Sequence, residues 1–98
     1  MKLTDKVKKW AKARDLDTAD SSKQALKLME EVGELAEGLV KDDKTKIIDS
    51  IGDIRVVLII LALQLGFNDD ICLAIAYEEI KDRKGKMVNG VFVKESDL

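Results

Sequence analysis

Apolar residues recur at helical spacing through most of the chain. Leu3, Val7, Trp10 and Ala11, with lysines between them, predict a short amphipathic helix over residues 3–14. Asp15 to Asp20 reads as a polar connection, and Ser21 or Ser22 as the N-cap of a second helix that runs to about Val40. Gly38 and the run Lys41-Asp-Asp-Lys44 mark a short solvated turn. A third helix is expected from residues 43–45 to Leu65, apolar nearly all round from Ile54 onward, with Gly66 as its stop. Asn68 then caps a fourth helix, with Asp69 and Asp70 in the turn where the helix dipole favours acids, and Gly85 is its expected end. The tail changes period. Asn89-Gly90 between Met87-Val88 and Val91-Phe92-Val93 is a two-residue hairpin signal. A hairpin alone is marginal in water, so it must lie on the helices or on a neighbouring chain.

This pattern gives an all-α domain, four-helix-bundle-like, spanning 1–98 as a single unit with a short C-terminal β-hairpin. Composition agrees with it. At 98 residues the chain is near the small end of what buries a full core alone. It is 46% hydrophobic but 4% aromatic, so the core must be aliphatic, and it contains no proline. The third helix is long and aliphatic enough to suggest that a second chain covers part of it, so the bundle is expected to be completed by oligomerisation.

Charge and residue content narrow the chemistry. A net charge of −2 argues against nucleic-acid binding, which needs a basic surface. The absence of histidine removes His-based catalysis, haem ligation and the usual zinc sites. The single Cys72 suits a reducing compartment. The apolar run Ile54 to Leu65, interrupted by Arg55, is too short to span a bilayer. With no apolar segment at the N-terminus, the expected location is cytoplasmic.

The acids carry the functional signal. On the second helix Ala25, Leu28, Met29, Val32, Leu35, Ala36 and Leu39 share one arc. Gln24, Lys27, Glu31, Glu34 and Gly38 form the neighbouring stripe, while Glu30 and Glu37 point outward as plain surface acids. On the third helix Asp53 precedes the apolar run on the face of Val57 and Ile60, and Asp49 lies one turn earlier. An ionised carboxylate there is costly unless it is paired with a cation or bound to metal. Glycines at 33, 38 and 52 make sense where a backbone or ligand must come close. Hard divalent cations take oxygen ligands, and Mg²⁺ is commonly shared with substrate phosphates. Lys81, Arg83, Lys84 and Lys86 after the fourth helix either complement its C-terminus or neutralise such phosphates.

In these residues the sequence resembles the MazG-like branch of the all-α nucleoside triphosphate pyrophosphohydrolases, whose pattern is E-E-x-x-E followed by E-x-x-D. Glu30-Glu31-Val-Gly-Glu34 matches the first part, and Gly52-Asp53 between Ile51 and Ile54 matches the end of the second. Trp10, Gln24, Lys27 and Arg83 extend the likeness over most of the chain. One position departs: Ser50 stands three before Asp53, where the family has glutamate. The resemblance implies hydrolysis of a nucleoside triphosphate to the monophosphate and pyrophosphate. It implies Glu31, Glu34 and Asp53 as catalytic metal ligands, with Asp49 as the substitute fourth acid, for Mg²⁺ or Mn²⁺. Lys27, Lys81, Arg83 and Lys86 would hold the outer phosphates, and Trp10 would stack on the base unless it belongs to the core. The resemblance also implies a homodimer or homotetramer. The alternative is a catalytically weak or inactive helical module that binds nucleotide or a protein partner.

Overall fold

A computed structural model describes residues 1–98 as four α-helices followed by a two-stranded antiparallel hairpin. Helix α1 covers Leu3–Lys12, α2 Ser21–Val40, α3 Lys44–Gln64 and α4 Asp69–Ile80; β1 is Gly85–Val88 and β2 Val91–Lys94. No single helix is long and apolar enough to cross a membrane.

The ends of the helices follow from local chemistry. Helix α1 stops two residues short of the expected boundary, and Asp15 takes a left-handed φ of 59°. A single 3₁₀ turn, Leu16–Thr18, follows inside the stretch expected to be a plain connection. It is held where Gln64 Nε2 donates to the Leu16 carbonyl at 2.9 Å. The N-cap of α2 is Asp20 rather than either serine. Its Oδ1 accepts from the Ser22 backbone N–H at 2.9 Å and from the Ser22 hydroxyl at 2.7 Å, and these bonds lower the Asp20 pKa.

The turn between α2 and α3 is a Schellman motif. Asp42 sits at φ 52°, with Asp43 N–H donating to the Gly38 carbonyl and Asp42 N–H to the Leu39 carbonyl. Asp43 then caps α3 by accepting from the Lys46 N–H at 3.1 Å. A turn this tight makes α2 and α3 an antiparallel pair, and that pair is the body of the molecule. Helix α3 ends in the same motif at Gly66, as expected.

Helix α4 is capped by Asn68, whose Oδ1 accepts from the N–H groups of Asp70 and Ile71. It ends at Ile80, five residues before the expected Gly85. Gly85 opens β1 instead, where any side chain would collide with the Val93 carbonyl and the Phe92 ring. The strands pair in the register Gly85 with Lys94 through Val88 with Val91. Asn89 and Gly90 turn the corner with positive φ, the conformation that a two-residue hairpin needs.

Only seven of 98 residues are buried, the apolar ones being Ala11, Val57, Ile59 and Ile60. The radius of gyration is 16.3 Å, against about 13 Å for a compact chain of 100 residues. The excess has two sources. Helix α4 leaves α3 at a bend of 106° and, with the hairpin, stands out as an arm. The stripe of α2 that meets α3 is Gln24, Glu31 and Gly38, flanked by half-buried Leu28 and Leu35. The rest of the apolar arc, with Met29 at 68% exposure, faces outward.

Candidate metal centre

Two facing helices bring three acids together. Glu31 and Glu34 lie one turn apart on α2, and Asp53 comes from α3. Carboxylate oxygens of the three all lie within 4.8 Å of one another. Glu31 is the deep member at 5% exposure, whereas Glu34 and Asp53 are exposed at the rim. This is the spacing a shared cation needs: one ligand fixed by packing and two free to adjust.

The two oxygens of Glu31 differ. Its Oε1 lies 3.2 Å from Lys27 Nζ, while its Oε2 is buried and has no hydrogen-bond partner. A buried carboxylate oxygen without a partner carries a desolvation penalty that protein groups here do not offset. An oxygen-seeking cation among the three acids would satisfy it. Lys27 also reaches Glu30 at 3.6 Å. The hydrogen bond to Glu31 and the two negative charges hold its ammonium above the ordinary lysine pKa.

The neighbouring positions of α3 separate into two sides. Ser50 turns toward α2 and is 2% exposed. Asp49 lies outside the three-acid group and lines a groove of about 590 Å³ between α1 and α3. Leu3, Thr4, Val7, Val56 and Ile59 line it together with Asp53, so Asp53 borders both the acid cluster and the groove. This groove is not legible from acid spacing alone; the apolar phase of Leu3 and Val7 is the signal that points to it.

Trp10 and Lys27 share a second groove, which Gln24, Val57 and Ile60 also line. Gln24, named in sequence only for its position before the acids, donates from Nε2 to the Val57 carbonyl at 3.2 Å. That bond locks α2 against α3 two turns before Glu31. Trp10 is 47% exposed, and one face of its ring is covered by Arg14, whose guanidinium carbon stands 4.3 Å from the ring centre. A base could stack only on the other face.

Three expected phosphate ligands are not brought to the acids within this chain. Lys81, Arg83 and Lys86 belong to the arm; Lys81 pairs with Glu78 at 2.8 Å, and none of the three makes an ion pair with Glu31, Glu34 or Asp53. Glu37, expected as a plain surface acid, has a structural part. It bridges Lys41 at 2.6 Å and Lys46 at 3.0 Å, tying the end of α2 to the start of α3, and those two ammoniums lower its pKa to about 2.

Of the three glycines expected to mark close approach, Gly38 does so: an added Cβ would meet Ile47 Cγ1 at 3.2 Å. Gly33 and Gly52 face open space within the chain.

Over 63 residues, 63% of its length, the chain is 46% identical to an uncharacterized 18.2 kDa protein from the rep–hol intergenic region of Haemophilus phage HP1 (strain HP1c1). The chain spans about two-fifths of that relative's length, 39%. No protein-family model and no solved structure matches.

Proposed function

We propose that this chain is a divalent-metal-dependent nucleoside triphosphate pyrophosphohydrolase with a MazG-like all-α fold, acting as a cytoplasmic homo-oligomer. The observation that carries this reading is the convergence of Glu31, Glu34 and Asp53 around a buried, unpartnered carboxylate oxygen. Residues of this type and spacing fit Mg²⁺, or Mn²⁺ in its place, because both take hard oxygen ligands.

The reaction is attack of water on the α-phosphorus of a nucleoside triphosphate. The bond from that phosphorus to the α–β bridging oxygen breaks, giving the monophosphate and pyrophosphate. When bound, the metal would supply charge neutralisation at the phosphate oxygens and polarise the α-phosphorus. The chain's own residues do the rest. Glu31, Glu34 and Asp53 would hold the cation. Glu34 and Asp53, exposed at the rim, are placed for one of them to orient the attacking water and accept its proton. Lys27 sits against Glu31 and can turn toward a phosphate from there. Trp10, in the same groove as Lys27, offers its free face to the base. Arg83, Lys81 and Lys86 complete the charge balance only when the arm reaches an acid cluster. Asp49 borders the site through the groove it shares with Asp53 and is the remaining acid for a water-mediated contact to the metal.

A second reading is a helical module that keeps the fold and binds nucleotide without turnover. Ser50 favours it, since a buried serine supplies no charged ligand at the position of the fourth acid. Pyrophosphate release from a panel of ribo- and deoxyribonucleoside triphosphates with Mg²⁺ decides between them. Turnover that is lost in Glu34→Ala supports the enzyme. No turnover on any substrate, with nucleotide still raising Tm by mass action, supports the module.

A further inference from the structure

Charge is unevenly spread along this chain. Residues 1–14 hold six of its 17 Lys and Arg but one of its 19 Asp and Glu, so they carry +5 while residues 15–98 carry −7. The net charge of −2 conceals this separation. All six cations lie on helix α1 or within two residues of its ends.

Helix α1 is also the most sharply two-sided of the four. Its inward side is set by Ala11, which is buried, and by half-buried Thr4, Val7 and Lys8. Lys8 is tied down there by Asp69 of α4 at 3.0 Å. Lys2, Lys6, Lys9 and Lys12 pair with no acid at all. At about 100° per residue, Lys9, Lys6, Trp10 and Leu3 follow one another across an outward arc of roughly 120°. All four are exposed, and so are Met1 and Lys2 just before them. Leu3 and Val7 share the groove with Asp49 and Asp53, whereas Lys6 and Lys9 do not line it. The lysine row therefore turns away from those acids, and an apolar edge of Leu3 and Trp10 runs beside it.

We propose that this face of α1 docks on a bilayer surface carrying anionic headgroups, with the lysines on the headgroups and Leu3 and Trp10 dipping in at the edge. A row of cations on an amphipathic helix is drawn to such a surface by about 1 kcal/mol for each Lys or Arg near it. The apolar edge supplies the second attraction that stable surface binding needs, and a tryptophan suits the headgroup level. The rest of the chain, at −7, is repelled by the same surface, so charge also fixes which side approaches. The helix lies on the membrane without entering it, because Val7 and Ala11 stay packed within the folded chain. A nucleic-acid strand fits less well. The row stands on a convex helix rather than in a groove, and its one aromatic ring has Arg14 over one face.

Trp10 is the one tryptophan of the chain, so its emission reports on this face. The full chain is mixed at low salt with vesicles of phosphatidylglycerol and phosphatidylcholine in equal parts, with vesicles of phosphatidylcholine alone, and with a short single-stranded oligonucleotide. The proposal expects co-sedimentation with the anionic vesicles, a blue shift of the Trp10 emission, quenching by brominated acyl chains, and release at high salt. Lys6→Gln combined with Lys9→Gln should weaken binding roughly 10–30-fold. Far-UV circular dichroism and Tm should stay unchanged, since neither lysine has a partner to lose. Lys6→Arg combined with Lys9→Arg should bind as the unsubstituted chain does. No binding to anionic vesicles would overturn the proposal, as would equal binding to neutral ones. So would full binding by the double glutamine variant, or binding that leaves the Trp10 emission unmoved. An oligonucleotide bound in place of the vesicles would overturn it too and assign the row to nucleic acid. No nucleoside triphosphate enters any arm, so each result stands apart from the proposed hydrolysis.

Discussion

Lys27 and Glu31, one turn apart on α2, meet at 3.2 Å through one carboxylate oxygen, while the other oxygen of Glu31 is buried without a partner. Half of this carboxylate is neutralised by the protein, and half is left for something else. The candidate site is organised around that asymmetry.

Removing the lysine should expose how much depends on it. Lys27→Met leaves Glu31 buried with neither oxygen paired and is expected to lower stability by about 1–3 kcal/mol. Mg²⁺ should recover part of the loss, because it supplies the missing charge. Urea unfolding with and without Mg²⁺ measures both. Equal loss in the two conditions would mean that no cation binds next to Glu31.

Ser50 is 2% exposed against α2, so a glutamate there must push into packed surroundings close to two other acids. Without metal, Ser50→Glu is expected to cost about 1–3 kcal/mol from overpacking alone. With Mg²⁺ the fourth carboxylate becomes a ligand, and the metal-induced rise in Tm should exceed that of the unsubstituted protein. An unchanged metal increment would remove Ser50 from the site.

Glu37 sets a pH dependence. Its folded pKa is depressed to about 2 by Lys41 and Lys46, from an ordinary value of 4.5. A depressed carboxylate contributes stability above its unfolded pKa and loses it as pH falls through the folded one. Its contribution is therefore full above about pH 4.5 and fades between there and pH 2. Thermal unfolding of Glu37→Gln followed across that window should show a flatter decline than the unsubstituted chain. Parallel curves would show that the clamp between α2 and α3 carries no stability.

The two glycines of α2 should respond oppositely to the same change. Gly33→Ala meets open space and should gain about 0.5–1 kcal/mol of helix stability. Gly38→Ala presses on the backbone N and side chain of Ile47 and should forfeit that gain. Urea midpoints of the two variants make the comparison. A Gly33→Ala that destabilises would mark a close neighbour supplied from outside this chain.

Much of the architecture is legible in the sequence because local signals decide it. Asn68 acts through its own side chain on the next backbone N–H groups, Gly66 and Asn89-Gly90 through their own positive φ, and each sits at the boundary its chemistry demands. Glu31, Glu34 and Asp53 were legible as a group because helical spacing and a tight turn leave two faces little freedom. What periodicity did not reveal is which side of α2 meets α3. The apolar arc and the acid stripe are neighbours, and hydrophobicity alone places the arc inside. The chain instead turns the Gln24–Glu31–Gly38 stripe inward, since Gly38 admits Ile47 and Gln24 finds the Val57 carbonyl. The early end of α4 escaped for a related reason: Gly85 reads as a helix stop, yet its lack of a Cβ is used by the strand pair.

The central claim is that Glu31, Glu34 and Asp53 bind a divalent cation between α2 and α3. Crystals soaked in Mn²⁺ and measured for anomalous scattering test it most directly. The account predicts one strong peak within coordination distance of all three carboxylates, including Glu31 Oε2. A peak elsewhere on the chain, or none between the helices at saturating Mn²⁺, would contradict it.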